Sequence, residues 1–113
     1  YSLTEGDQRL GFTPSVAIDG NGHVIVTYQG TSGNKLWYVS GNFDATGHIV
    51  GTEYSLTEGD QSLGSRPTIA FASTGQVVIL YQGTSEGKMW YVYGQLNSAG
   101  QLIGTEQLID MGI

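Results

Sequence analysis

Two aromatic pairs set a fixed interval apart are the residues of this sequence best suited to chemistry. Trp37-Tyr38 returns as Trp90-Tyr91, and the polar groups nearby return with it: Gln29 as Gln82, Thr31 as Thr84, Ser32 as Ser85 and Lys35 as Lys88. An aromatic face flanked by amide, hydroxyl and ammonium groups suits a sugar, whose C–H side stacks on the ring while its hydroxyls find donors and acceptors. Neighbours on a strand point to opposite sides, so Trp and Tyr of one pair cannot serve one contact. One of them is expected to pack and the other to face a cleft or a turn. The expected ligand-binding set is therefore Trp37, Trp90, Tyr38, Tyr91, Gln29, Gln82, Lys35 and Lys88. The competing reading is that these rings only fill space between packed sheets.

Other residue types offer less. His23 and His48 are the only histidines, both sit beside turns, and both are glutamine in the other copy, as Gln76 and Gln101. They assemble no Ser-His-Asp or Cys-His set. The carboxylates Glu5 and Asp7 return as Glu58 and Asp60, and Glu53 as Glu106. Two carboxylates at the right separation can hydrolyse a glycoside; as solvated acids of loops and strand ends they do no chemistry. Asp19-Gly20-Asn21-Gly22 resembles a calcium loop in outline, yet it has one carboxylate and no distal Glu, and Asn-Gly is a strong hairpin signal. The expectation is a protein that is not an enzyme and uses no cofactor and no metal.

The elements that must position these residues follow from the repeat. Residues 1–53 laid on 54–106 match at 28 of 53 positions without a gap. Self-similarity at such a period signals a solenoid, propeller or array. The units are 1–53 and 54–106, with 107–113 occupying the same repeat position as 1–7. Eighteen glycines against two prolines, with seven Tyr and many Val and Ile, describe strands joined by tight turns. Strands are expected at about 14–19, 23–29, 35–43 and 48–57, and again at 67–71, 76–82, 88–96 and 101–109, with Pro67 opening its strand. No segment keeps the helical period.

The run Val77-Val78-Ile79-Leu80-Tyr81 reads as a strand covered on both faces. The fold class expected is all-β: two four-stranded antiparallel β-propeller blades per chain. A self-contained sandwich of eight strands is the alternative. Two blades cannot close a ring, so three or four copies are expected to complete six or eight blades as a homotrimer or homotetramer.

The formal charge of −6 arises from ten acids against four scattered bases, which argues against nucleic acid or an anionic membrane as partner. No apolar run approaches the roughly 20 residues of a membrane span. With no cysteine, neither disulfides nor zinc-thiolate sites are available.

A short acidic chain of two blade-like repeats, each carrying Trp-Tyr, resembles the small bacterial and fungal β-propeller lectins. The resemblance implies a two-blade chain that oligomerises and binds fucose or related sugars between blades, with glycans as partners. Fucose-binding members pair an Arg and a Glu with a Trp at each site, in repeats shorter than 53 residues. Here Arg9 aligns with Ser62 and Arg66 with Thr13, so no arginine recurs in both copies. A second expectation is a scaffolding fragment of a larger propeller that binds protein partners.

Overall fold

In the computed structural model, which describes residues 12–30, 36–56, 65–72, 75–82 and 88–109, every regular element is a strand. The first sheet runs β1 (Phe12–Ile18), β2 (His23–Gln29), β3 (Leu36–Phe43) and β4 (Ile49–Ser55) in chain order, each antiparallel to the next. The second repeats the plan with β5 (Ser65–Phe71), β6 (Val77–Gln82), β7 (Met89–Leu96) and β8 (Leu102–Leu108). The chain is thus all-β, two four-stranded antiparallel meanders, and it agrees with the expected strand set to within about two residues.

The starts of β1 and β5 differ from expectation for a definable reason. Both strands begin two residues ahead of their proline, and the register shifts between Phe12 and Ser15 and between Ser65 and Thr68. Pro14 and Pro67 have no N–H to give the ladder, and a local irregularity is where a strand tolerates that loss. The strand continues through the proline instead of opening on it.

Alternation along each strand then sorts the side chains. The second sheet turns Ile69, Val77, Ile79, Tyr81 and Val92 toward the first, which answers with Ile25, Leu36, Tyr38 and Leu56. Together they form one buried cluster, with Ala17, Tyr54, Phe71, Trp90 and Leu96 packed against it. Three polar contacts fix how the sheets meet: the Tyr38 hydroxyl accepts from the Leu102 N–H at 2.7 Å, the Tyr54 hydroxyl donates to the Ala99 carbonyl at 2.8 Å, and the Ser15 hydroxyl oxygen accepts from the Ile69 N–H at 3.3 Å.

Each sheet also carries a facing glycine pair between its last two strands, Gly41 with Gly51 and Gly94 with Gly104. A Cβ on Gly41 would lie 2.1 Å from the Val50 carbonyl oxygen, and one on Gly94 2.0 Å from that of Ile103. Backbone cannot yield at such distances, so glycine at these positions is a steric requirement.

Candidate functional site

Tyr28, Trp37, Val39 and Glu53 share one face of the first sheet; Tyr81, Trp90, Val92 and Glu106 occupy the same positions in the second. The register places Tyr28 opposite Trp37 and Val39 opposite Glu53, and likewise Tyr81 opposite Trp90 and Val92 opposite Glu106. In both sheets the tyrosine hydroxyl hydrogen-bonds the glutamate carboxylate, Tyr28 to Glu53 and Tyr81 to Glu106. Each tryptophan is half-buried. Each indole Nε1 is buried and has no hydrogen-bond partner among the described residues. A half-buried ring and a carboxylate on one face are groups that can stack on a sugar ring and accept from its hydroxyls, while the buried indole N–H would have to be uncovered before it could donate to one.

The two sets differ in surroundings. Trp90 and Tyr81 belong to the face that meets the first sheet. Trp37 and Tyr28 lie on the first sheet's other face. There Val24, Tyr28 and Val39 are buried, while Val16, Ile18 and Phe43 around them are exposed.

The other expected site residues are spread over both faces. Tyr38 is 1% exposed, holds the Leu102 N–H and packs on Tyr54 with ring centroids 5.4 Å apart. Its place is in the packing between sheets. Tyr91 is half-buried on the far face of the second sheet, beside Val78 and Leu80. Gln29 is buried, Gln82 half-buried, and Lys88 exposed; each takes part in an interaction of its own. Lys35 lies outside the described residues, as do Glu5, Asp7, Glu58 and Asp60. The structure therefore keeps each Trp with its sheet's Tyr–Glu pair and separates both from the neighbouring Tyr38 or Tyr91, as strand alternation requires.

Glu53 and Glu106 are the residues that sequence reasoning placed differently. Read as solvated acids at strand ends, they are half-buried partners of tyrosines. The available signal was the constant interval between Tyr28 and Glu53 and between Tyr81 and Glu106, which spacing within single strands does not reveal.

The turns at the opposite end of the sheets are built on side-chain caps. Asp19 Oδ1 accepts from the N–H groups of Asn21 and His23, each at 2.9 Å, and Oδ2 lies 3.0 Å from His23 Nδ1. Desolvation pushes the Asp19 carboxyl up, but the His23 and Asn21 N–H groups and the His23 ring together carry it below the usual 3.8. Asp44 Oδ1 accepts from the Thr46 N–H, the Thr46 hydroxyl and the His48 N–H. The Thr46 hydroxyl and then the His48 N–H hold this carboxyl below 3.8 as well. With that hydroxyl proton given to Asp44, His48 Nδ1 must be the donor in its 2.8 Å contact with the Thr46 oxygen. Asp19-Gly20-Asn21-Gly22 is thus an Asx-capped turn closed by Gly22 at φ 87°. Its carboxylate is committed to the turn and to His23. Among the described residues, no three acidic, histidine or cysteine side chains come together as a metal site would need.

No protein-family model, curated protein or solved structure matches this chain.

Proposed function

We propose that the chain is a non-catalytic carbohydrate-binding protein of the β-propeller lectin kind, with its two sheets acting as two blades of a ring that further copies complete. One observation carries this reading: the same Trp–Tyr–Glu set occurs in both sheets, each with an indole N–H that no described residue engages. One such set per sheet, multiplied around a ring, suits recognition of a glycan surface. Simultaneous engagement raises avidity by orders of magnitude without any new contact.

The ring has its own support. The far face of the second sheet exposes Met89 and Tyr93 and contains an apolar hollow of about 380 Å3 lined by Val78, Leu80 and Tyr91. By the 53-residue repeat this face corresponds to the side of the first sheet that already packs against a neighbour. A second copy presenting its Trp37 face would cover it by the same sheet-on-sheet packing. Three copies make six blades and four make eight.

Light scattering of the purified chain, followed by a glycan array, tests both parts. A trimer or tetramer that binds glycans is the expected result. An intact oligomer that leaves the array blank removes the carbohydrate reading. The exposed apolar face favours one other role, a scaffold that docks protein partners. A folded monomer with a blank array would direct attention there.

A further inference from the structure

We infer that Asn21-Gly22, in the turn between β1 and β2, is a site of spontaneous covalent modification in the folded protein. The Asn21 amide is lost through an internal imide, and the turn converts to aspartate and isoaspartate while the sheets stand. The chemistry is independent of any ligand.

The chain contains one Asn-Gly pair. A glycine after asparagine leaves its backbone nitrogen without a neighbouring Cβ to shield it. The fold then supplies a comparison. Among the described residues, turns of one design end at Gly22, Gly47, Gly75 and Gly100, with φ of 87°, 90°, 88° and 83°. In front of those glycines stand Asn21, Thr46, Thr74 and Ala99. Only Asn21 has a side-chain amide that the following nitrogen can attack.

Three observations favour the attack. First, the nitrogen is the least committed of its kind. The Gly22 N–H group lies 3.4 Å from the Asp19 carbonyl oxygen, against 3.1, 3.0 and 2.9 Å in the equivalent bonds of Gly47, Gly75 and Gly100. A hydrogen bond of that length is weak. Second, the space is open. A Cβ built on Gly20 or Gly22 meets nothing within 4 Å, whereas one on Gly100 would lie 2.9 Å from Ser40 Oγ. Third, the electrophile can turn toward the nitrogen. Asn21 is exposed, and no described residue hydrogen-bonds its carboxamide; the Asp19 carboxylate holds only its backbone N–H. Asn97, by contrast, has its Oδ1 tied to the N–H groups of Ala99 and Gln101.

The step needs water and no oxidant or reductant. The Gly22 nitrogen bonds to Asn21 Cγ and gives up its proton; the Cγ–Nδ2 bond breaks, and the amide nitrogen leaves as ammonia. Water then opens the five-membered imide. Attack at Cγ leaves aspartate; attack at the backbone carbonyl leaves isoaspartate, whose main chain runs through Cγ and is one methylene longer. Both products put a second carboxylate beside Asp19. Isoaspartate also lengthens the chain between the Asn21 and His23 N–H groups, which Asp19 Oδ1 now spans at 2.9 Å each, and so releases the His23 end of the cap.

The experiment is timed incubation of the full chain in mildly alkaline buffer, native and in urea, with peptide mapping by mass spectrometry and amide hydrogen exchange. Asn21 should convert in the native chain while Asn42 and Asn97 stay intact. The rate should rise severalfold per pH unit, because the attacking species is the deprotonated amide. The isoaspartate fraction should lose exchange protection at His23 and keep it at His48 and Gln101. Asn21→Thr, which installs the residue that the equivalent turn carries as Thr46, should abolish conversion. Asn21→Asp should add the charge and keep the His23 N–H held, which separates charge from chain length. Conversion of Asn21 only in urea, or no faster than that of Asn97, would overturn the inference. Isoaspartate that leaves His23 protected would overturn the release of the cap.

Discussion

β2 and β6 hold the same place in their sheets and carry nearly the same apolar run, but the protein buries them differently. After His23, every residue of β2 is buried except the half-buried Val26. In β6 burial alternates strictly: Val77, Ile79 and Tyr81 are buried while Val78, Leu80 and Gln82 are half-open. The same division separates the tyrosines that follow the tryptophans, Tyr38 in the packing between sheets and Tyr91 on an open face. Position within the repeat therefore does not decide a residue's burial: equivalent positions of β2 and β6 are covered to different extents. A chain of two such sheets satisfies one sheet-on-sheet junction internally and leaves the second sheet's far face with an apolar sequence and only partial cover.

Replacing each tryptophan tests that division most severely. Trp90→Ala removes a ring from the junction and should cost about 3–5 kcal/mol of unfolding free energy, measured by urea denaturation followed by circular dichroism. Trp37→Ala, on a face against which no described strand packs, should cost roughly half of that or less. Equal losses independent of protein concentration would break the comparison. Equal losses that appear only where the chain assembles would sharpen it, by placing Trp37 in a junction between copies.

The tyrosines give a smaller contrast with less disruption. Tyr38→Phe leaves the Leu102 N–H without its partner in a buried place and should cost about 1–3 kcal/mol. Tyr91→Phe, on the open face, should stay within about 0.5 kcal/mol of the parent. A reversal of that order in the same urea series would mean that the sheets do not meet through the Tyr38 face.

The strands were legible in the sequence because β-branched and aromatic runs alternate with Gly-rich turns and the repeat shows each of them twice. Their pairing followed from the short turns, which leave antiparallel neighbours as the only economical connection. The faces were less legible. Val77-Val78-Ile79-Leu80-Tyr81 reads as covered on both sides, and one side is half-open, because the sequence specifies an apolar surface without specifying what arrives to cover it. Glu53 and Glu106 were hidden for a related reason: a carboxylate's partner lies on another strand, and only the register brings Tyr28 and Tyr81 within reach.

The caps of the turns differ between sheets in a way that only acid should expose. In the first sheet both caps are carboxylates, Asp19 and Asp44, and both are held below the usual 3.8 by the hydrogen bonds they accept. In the second sheet Asn97 makes the same pair of bonds, to the N–H groups of Ala99 and Gln101, with a group that does not titrate. Ala72 caps its turn through backbone alone, accepting from the Gly75 N–H at 3.0 Å. A carboxyl whose folded-state value lies below its unfolded one stabilises the fold above the unfolded value, and that contribution disappears as pH falls through the folded one. The window is therefore below about pH 3.8. Amide shifts and hydrogen exchange recorded across that window should show the His23 and His48 N–H groups releasing together, with Gln101 unchanged. Asp44→Asn should abolish the response at Thr46 and His48 and leave His23 as it was. Release of Gln101 in step with the others would mean that acid unfolds the chain as a whole, and the distinction between charged and neutral caps would carry no local consequence.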